Sequence, residues 1–395
     1  MGEHRRFQEQ FLKDMDRWLR ERPLSAAARA AYLATPRHRF IHRYRLARRG
    51  EWQTVDETNE PQLAVLYENR PLILATDGDT VLATISQPGF VLNMIDRLCL
   101  QPGHSVFELG TASGWNAALM SHVVGPQGSV TSVEILPELA ESATRTVREL
   151  GLTNIHIVQG DGGDGLASNA PYDRAIFTAG TYDLPRAFYA QLKEGGLLLV
   201  VIKVKGGGDA LFLLKKVGHH FESIESASCA FVPMTGKYAV SGMDPVWIGD
   251  LSEWSSLTET VSSQRRFWWG RGGWPGTFQE RTVGFRGFLG ISEPARLGVF
   301  QDEPDKEDRL LGFGLWGEDR RDLTLARNDD FITTYGTGDS ERRLRQRLDE
   351  WFSLGMPDLS CFRLRAYPID AAPPDESSGW TTRHSESVFH WVLDT

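Results

Sequence analysis

Between about residues 88 and 203 short apolar segments alternate with amphipathic segments of ten or more residues, and this alternation limits the possible folds more than any other feature. The expected helices are 89–98, 115–124 and 137–150, and the expected strands are 105–109, 129–134, 155–158, 174–178 and 196–203. Two strands separated by a helix cannot form a hairpin, so each must cross over and pair in parallel. Right-handed crossovers then build a doubly wound sheet. Segments 211–217 and 227–232 are expected to close it as an antiparallel pair. The fold class is therefore α/β and Rossmann-like.

Upstream, Phe7, Phe11, Leu12, Met15, Trp18 and Leu19 recur at helical spacing, and Ser25 before an Ala-rich run reads as an N-cap. Segments 63–68, 71–75 and 81–85 read as short extended pieces around an Asp77-Gly78-Asp79 turn. Nine of the 12 tryptophans lie beyond residue 240, in a stretch with a helix expected over 340–352, strands over 361–367 and 387–393, and a Pro/Ser/Asp-rich loop over 370–379. The reading is three parts. Residues 1–60 are helices packed on the domain that follows, 61–240 are the Rossmann-like domain, and 241–395 are a mixed α+β domain rich in large contact residues.

Composition removes several function classes. A formal net charge of −9 argues against coating nucleic acid through an overall positive field, and no apolar run is long enough to span a bilayer. The N-terminal segment lacks the apolar stretch of a secretion signal, so a cytoplasmic location is expected. Cys99, Cys229 and Cys361 are widely spaced and unpaired in pattern, which supports neither disulfides nor a metal site. Arg37, Arg39, Arg43, Arg45, Arg48 and Arg49 form a run without acids, read as a solvated face or a docking surface for an acidic peptide.

The chemistry centres on Val106-Phe-Glu-Leu-Gly110-Thr-Ala-Ser-Gly114-Trp-Asn, a Gly-rich turn between an apolar strand and a helix. Glu134 follows Gly114 by 20 residues, at the end of the next strand, where a carboxylate can accept two ribose hydroxyls. The pattern suits a dinucleotide or another nucleoside ligand. Ala112 occupies the middle Gly position on which pyrophosphate binding leans, and nearby acids such as Glu108 favour a cationic sulfonium instead.

Six motifs occur in order: Pro36-Arg-His-Arg-Phe40, Ala83-Thr-Ile-Ser-Gln-Pro88, Glu108-Leu-Gly-Thr-Ala-Ser-Gly-Trp115, Gly160-Asp-Gly162, Ala170-Pro-Tyr-Asp173 and Val232-Pro-Met-Thr235. On them the chain resembles the protein-L-isoaspartate O-methyltransferase family from about residue 36 to 237. The resemblance implies S-adenosyl-L-methionine as cofactor, S-adenosyl-L-homocysteine as product, a carboxylate acceptor and no metal. It implies that Ser86, with Thr84, stands at the catalytic position and, with Pro233 and Thr235, meets the acceptor. Ile85, Gln87, Glu108, Gly110, Ala112, Gly114, Trp115, Asn116, Glu134, Ile135, Asp161 and Gly162 would surround the donor, with Glu134 on the ribose and Asp161 and Gly162 at the adenine.

Two features depart from that family. Gly89-Phe-Val-Leu92 stands where a histidine-bearing segment is common, and the tail after residue 240 is additional to the short repair enzymes. The extended tail resembles that of members associated with ribosomally made, modified peptides such as lanthipeptides, lasso peptides and graspetides. That implies a modified precursor peptide as partner and an aspartimide (succinimide) or isoaspartate as the outcome. Arg265-Arg-Phe-Trp-Trp269 and Gly270-Arg-Gly-Gly-Trp274 read as its recognition surface. The alternatives are a general isoaspartyl repair methyltransferase and a non-catalytic peptide-binding protein with a degenerate fold.

Overall fold

Val106, Phe107, Val130, Ala175, Ile176, Phe177, Leu198, Leu199 and Val200 are all fully buried, the pattern of strands covered on both faces. In the computed structural model, which describes residues 4–18, 22–266, 277–302, 310–371 and 378–394, they form the expected parallel sheet. Its strands are Ser105–Leu109, Ser129–Glu134, Ile155–Gln159, Tyr172–Thr181 and Leu192–Lys203. Asp209–Val217 and His220–Cys229 follow as antiparallel strands. The second of these starts seven residues earlier than the 227 expected, because Gly218, at φ +57°, turns the chain at once.

Helices Pro88–Arg97, Trp115–Val124 and Pro137–Glu149 supply the crossovers. Segment 63–68 is a correction. It belongs to helix Glu60–Leu66, started by the Asn59 side chain accepting from the Gln62 N–H, with a Pro in the first turn and Leu63 and Leu66 buried one turn apart. The N-terminal helices His4–Trp18 and Ala26–Ala34 are fastened to the sheet through Trp115, whose indole N–H donates to the Thr35 carbonyl at 3.1 Å. Ser25 caps the second of them by accepting from the Ala28 N–H.

The end of the chain re-enters the first sheet. Phe362–Pro368 pairs with His220–Cys229, and Ser387–Leu393 and Trp380–Arg383 extend it to ten strands. Residues beyond 240 therefore complete the sheet that the earlier residues begin. A second, six-stranded sheet is inserted between them, in the order Val246–Trp247, Leu297–Gln301, Leu310–Trp316, Leu323–Arg327, Phe331–Tyr335 and Val261–Arg266. Helices Phe278–Ser292 and Asp339–Ser353 contribute Phe285, Phe288, Leu344 and Trp351 to one hydrophobic core shared with Phe107, Phe177 and Phe212.

Five of the six described tail tryptophans serve that packing, and Trp247 instead donates its indole N–H to the Asp302 carbonyl. Trp316, Trp351 and Trp391 are buried, and Trp254 and Trp380 lie half-buried against the cores. Of the two segments expected to form a recognition surface, 267–274 lies outside the described residues, and Arg265 is ion-paired with Glu341. Replacing Trp391 by alanine, which removes its packing on Phe212 and Phe389, is expected to cost about 3–5 kcal/mol of stability in urea titration. Among the described residues no helix is long and apolar enough to cross a membrane.

Candidate active site

Parallel sheets place ligands outside the C-terminal ends of their strands, where connections diverge. The main cleft lies there, holding about 990 Å³ of space open to solvent on one side. Its first wall is the turn after Ser105–Leu109. Gly110 sits at φ +91°, and a Cβ at that position would stand 2.5 Å from the Thr178 hydroxyl oxygen, so both conformation and space require glycine. The Thr178 hydroxyl lies 2.6 Å from the Gly110 carbonyl and 2.9 Å from that of Leu109, pinning the turn to the neighbouring strand.

Ala112 adopts φ +46°, a left-handed conformation that an alanine takes at a cost. Glu134 holds it there. One carboxylate oxygen accepts from the Ala112 N–H at 2.7 Å and the other from the Leu136 N–H at 2.9 Å. Burial pushes the Glu134 carboxyl above its ordinary range, and the backbone N–H groups pull it back only in part.

Glu108 stands behind this wall. It is fully buried, accepting from Ser132 at 2.6 Å and from the Asn116 amide, while Thr111 hydrogen-bonds Ser132 at 2.6 Å. Desolvation outweighs these bonds and raises its pKa from 4.5 to about 7. The folded protein therefore holds a proton on Glu108 that the unfolded chain releases. This contribution to stability is fully present below pH 4.5 and is lost as pH rises to about 7. Glu108→Gln, which mimics the protonated form, is expected to gain up to about 3 kcal/mol over the parent at pH 8 and nothing near pH 4.5. Thermal melts of both proteins across that range measure it.

Asp161 and Gly162 form the far rim. One Asp161 oxygen accepts from the Gly163 N–H at 3.0 Å, the local turn bond usual for this residue, and the other accepts from the Lys237 N–H at 2.7 Å. The second bond ties segment 232–238 across the cleft. Gly180 bonds Val232 and Met234 through its own N–H and carbonyl, both at 2.8 Å, and Pro233 and Thr235 thereby face the cavity.

Opposite stand Thr84, Ile85 and Ser86, at the end of strand Thr80–Ile85. The Ser86 hydroxyl has no hydrogen-bond partner among the described residues, whereas its carbonyl accepts from Arg37 at 3.0 Å. Arg37 departs from the expected solvated arginine run, in which Arg39, Arg43, Arg48 and Arg49 are exposed. Its side chain is fully buried and donates to the carbonyls of Leu66 at 2.6 Å, Arg70 at 3.1 Å and Ile85 at 3.3 Å as well as to Ser86. Among the described residues no carboxylate neutralises it, and burial lowers its pKa to about 10. The rest of the run disperses: Arg39 pairs with Glu57, Arg49 with Asp79, and Arg43 and Arg45 stack on Trp52.

Of the residues expected at the site, Thr84, Ile85, Ser86, Gly110, Ala112, Trp115, Asn116, Glu134, Ile135, Asp161, Gly162, Pro233 and Thr235 line this one cleft. Three stand off it. Glu108 supports the wall, Gln87 is the N-cap position of helix Pro88–Arg97, and Gly114, at φ +82°, lets helix Trp115–Val124 approach Ala143. Thr178, Met234, Val91 and Met94 also line the cleft without having been singled out. Thr178 alone had a readable signal, as a polar residue ending an apolar run. The departure at Gly89 has a packing cause: a Cβ there would meet the Met15 sulfur at 2.8 Å and the Asn69 side-chain oxygen at 2.9 Å. Among the described residues no group of three or more His, Cys, Asp or Glu side chains is placed to hold a metal.

Residues 54–239 match the family described as protein-L-isoaspartate(D-aspartate) O-methyltransferase. A protein-L-isoaspartate O-methyltransferase of Methanococcus maripaludis is 35% identical over 207 residues, 52% of this chain and 86% of the relative. That of Pyrococcus horikoshii is 38% identical over 156 residues, 39% of this chain and 70% of the relative. A solved structure named protein-L-isoaspartate O-methyltransferase shares the fold over 98% of this chain and 100% of its own, with a TM-score of 0.56 at 21% identity, so the tail has a structural counterpart. With 86% of a relative matched at 35% identity, the chain belongs to the protein-L-isoaspartate O-methyltransferase family of S-adenosylmethionine-dependent carboxyl O-methyltransferases.

Proposed function

We propose that the chain methyl-esterifies the free α-carboxylate of an isoaspartyl residue in a peptide or protein, with the donor held in the cleft between Ser86, Gly110, Glu134 and Asp161. One observation carries this reading. Among the described residues, Glu134 and Asp161 are the charged side chains lining the cleft, and no lysine or arginine lines it. A site without cations is poorly matched to a pyrophosphate and well matched to a phosphate-free, positively charged nucleoside donor. S-adenosyl-L-methionine supplies an electrophilic methyl group on a sulfonium and leaves as S-adenosyl-L-homocysteine. Glu134 would take the ribose hydroxyls through its unused lone pairs, and Asp161 and Gly162 would border the adenine.

Such a carboxylate is ionised at neutral pH and needs no general base to become a nucleophile. The protein's task is alignment, which can be worth about 7–11 kcal/mol when reacting groups are held near contact. The unpartnered Ser86 hydroxyl is free to donate to one carboxylate oxygen while the other attacks. A neutral donor orients that carboxylate without quenching it as a cationic clamp would. After methylation the next backbone nitrogen attacks the ester carbonyl, methanol leaves, and a succinimide closes.

Ser86→Ala is expected to lower kcat/KM for an isoaspartyl peptide by about 10–100-fold while calorimetric donor affinity stays unchanged. An unaltered rate would remove Ser86 from the chemistry. A constrained aspartyl residue in a modified precursor peptide is the finer reading of the acceptor, supported by the extended tail. Mass spectrometry of parallel incubations with a linear isoaspartyl peptide and a macrocyclic aspartyl peptide decides between them. Esterification of the linear peptide alone assigns general repair, and of the macrocycle alone assigns tailoring.

A further inference from the structure

A second cavity, about 880 Å³ of space open to solvent, lies between the ends of strands Tyr172–Thr181 and Leu192–Lys203 and the returning C-terminal strands. Ile291 and Trp391 supply its apolar side, and Tyr182, Lys205, Arg383 and His384 its polar side. Among the described residues no aspartate or glutamate lines it. Lys203, also on its wall, is neutralised by Asp209 at 2.6 Å and donates to the Phe231 carbonyl at 2.9 Å.

Lys205 is different. It is half-buried and has neither a carboxylate nor a hydrogen-bond acceptor among the described residues. Desolvation, with a smaller contribution from the Arg320 cation, holds its ammonium below the ordinary lysine range. Arg383 is exposed at the cavity and likewise unpaired among the described residues. A desolvated ammonium without a counter-ion is costly, and an incoming anion relieves that cost.

The position ties this cavity to the reaction. Thr178 lines the donor cleft and Tyr182, just past the end of the same strand, lines the second cavity, four residues apart, a span of at most about 13 Å. Val232–Met234, bonded to Gly180, line the donor cleft on this side. An extended peptide covers that span in about four residues.

We propose that this cavity is a substrate subsite for a carboxylate about three to four residues from the acceptor in the bound peptide, met by Lys205 and Arg383. The carboxylate can be an Asp or Glu side chain or the peptide's C-terminus. The subsite rests on the peptide-methylating function proposed above. It gives the C-terminal region a role in substrate choice, because Arg383 and Trp391 come from the strands that return to the sheet and His384 from the turn between them.

The test uses the full-length protein and a set of isoaspartyl peptides carrying Glu, Gln or Lys three or four positions to either side of the acceptor. Each is made with a free and an amidated C-terminus, and kcat/KM for methyl ester formation is measured. The parent protein is expected to favour the Glu peptides, or the free-acid peptides if the terminus is the ligand, by about tenfold through KM. The preference should shrink in 0.5 M salt, at a Debye length of about 4 Å. Lys205→Met combined with Arg383→Gln should bring the ratio to about one, and Lys205→Glu should turn it toward Lys-bearing peptides. Equal kcat/KM for acidic and neutral peptides in the parent, or a ratio that the double substitution leaves unchanged, overturns the subsite alone. Failure to esterify any peptide overturns the function on which it rests.

Discussion

Arg37→Met is expected to remove about 3–5 kcal/mol of stability and at least about 100-fold of kcat/KM toward an isoaspartyl peptide. The guanidinium gathers carbonyls from Leu66, Arg70, Ile85 and Ser86, four points on three separate chain segments. Methionine fills part of the volume and leaves these acceptors buried without donors. Each costs about 1–3 kcal/mol unless the backbone moves, and the backbone that moves includes Ser86. Arg37→Lys separates the two effects. One ammonium carries three donors on a point rather than a planar fork, so it should recover stability more fully than it recovers kcat. Urea titration and steady-state kinetics on both variants provide the measurement. A Met variant with the parent's midpoint and turnover would show that the Ser86 segment is held by other contacts.

Glu134→Ala is expected to weaken donor binding by about 100-fold or more, read by calorimetry with S-adenosyl-L-homocysteine. The carboxylate performs two tasks. It accepts the Ala112 and Leu136 N–H groups, two charge-assisted bonds each worth about 1.5–3 kcal/mol, and it faces the cleft. Its loss frees Ala112 from a left-handed conformation that an alanine does not hold by itself, so the turn reshapes as well as losing a ligand. Ala112→Gly in the same background distinguishes the two tasks. Glycine removes the conformational cost, so recovery of affinity would assign most of the defect to the turn, and persistence would assign it to the lost carboxylate. Donor affinity unchanged in Glu134→Ala would exclude this carboxylate from the donor site altogether.

The parallel sheet and the walls of the cleft were readable because their causes are local. Strands buried on both faces must be continuously apolar, a glycine at φ +91° must be a glycine, and an acid closing the second strand lands beside the first turn by the geometry of one crossover. Ser86 and Asp161 were located by their motifs. The six-stranded sheet and helix Phe278–Ser292 were not readable. Glycines 298, 312 and 314 interrupt the strand pattern, and Gly284, Gly287 and Gly290 lower the helix propensity where Trp351, Leu359 and Val204 approach closely. Those residues answer to neighbours distant in sequence.

Arg37 shows the division most sharply. Its charge and its place in an arginine run are properties of the sequence, and both pointed to the surface. Only the fold brings Leu66, Arg70, Ile85 and Ser86 around it, turning a solvated cation into a buried brace. The same holds for the C-terminal region, whose tryptophans signal large contacts but not whether those contacts are internal. By itself the sequence determined the Rossmann-like core, the Gly110 turn and the acids at its rim, because each follows from periodicity or backbone conformation within one or two elements. Tertiary structure decided that residues 362–393 complete the first sheet, that Arg37 holds Ser86, and that Lys205 faces a cavity with no counter-ion among the described residues, because these depend on which distant segments share a strand edge or exclude water.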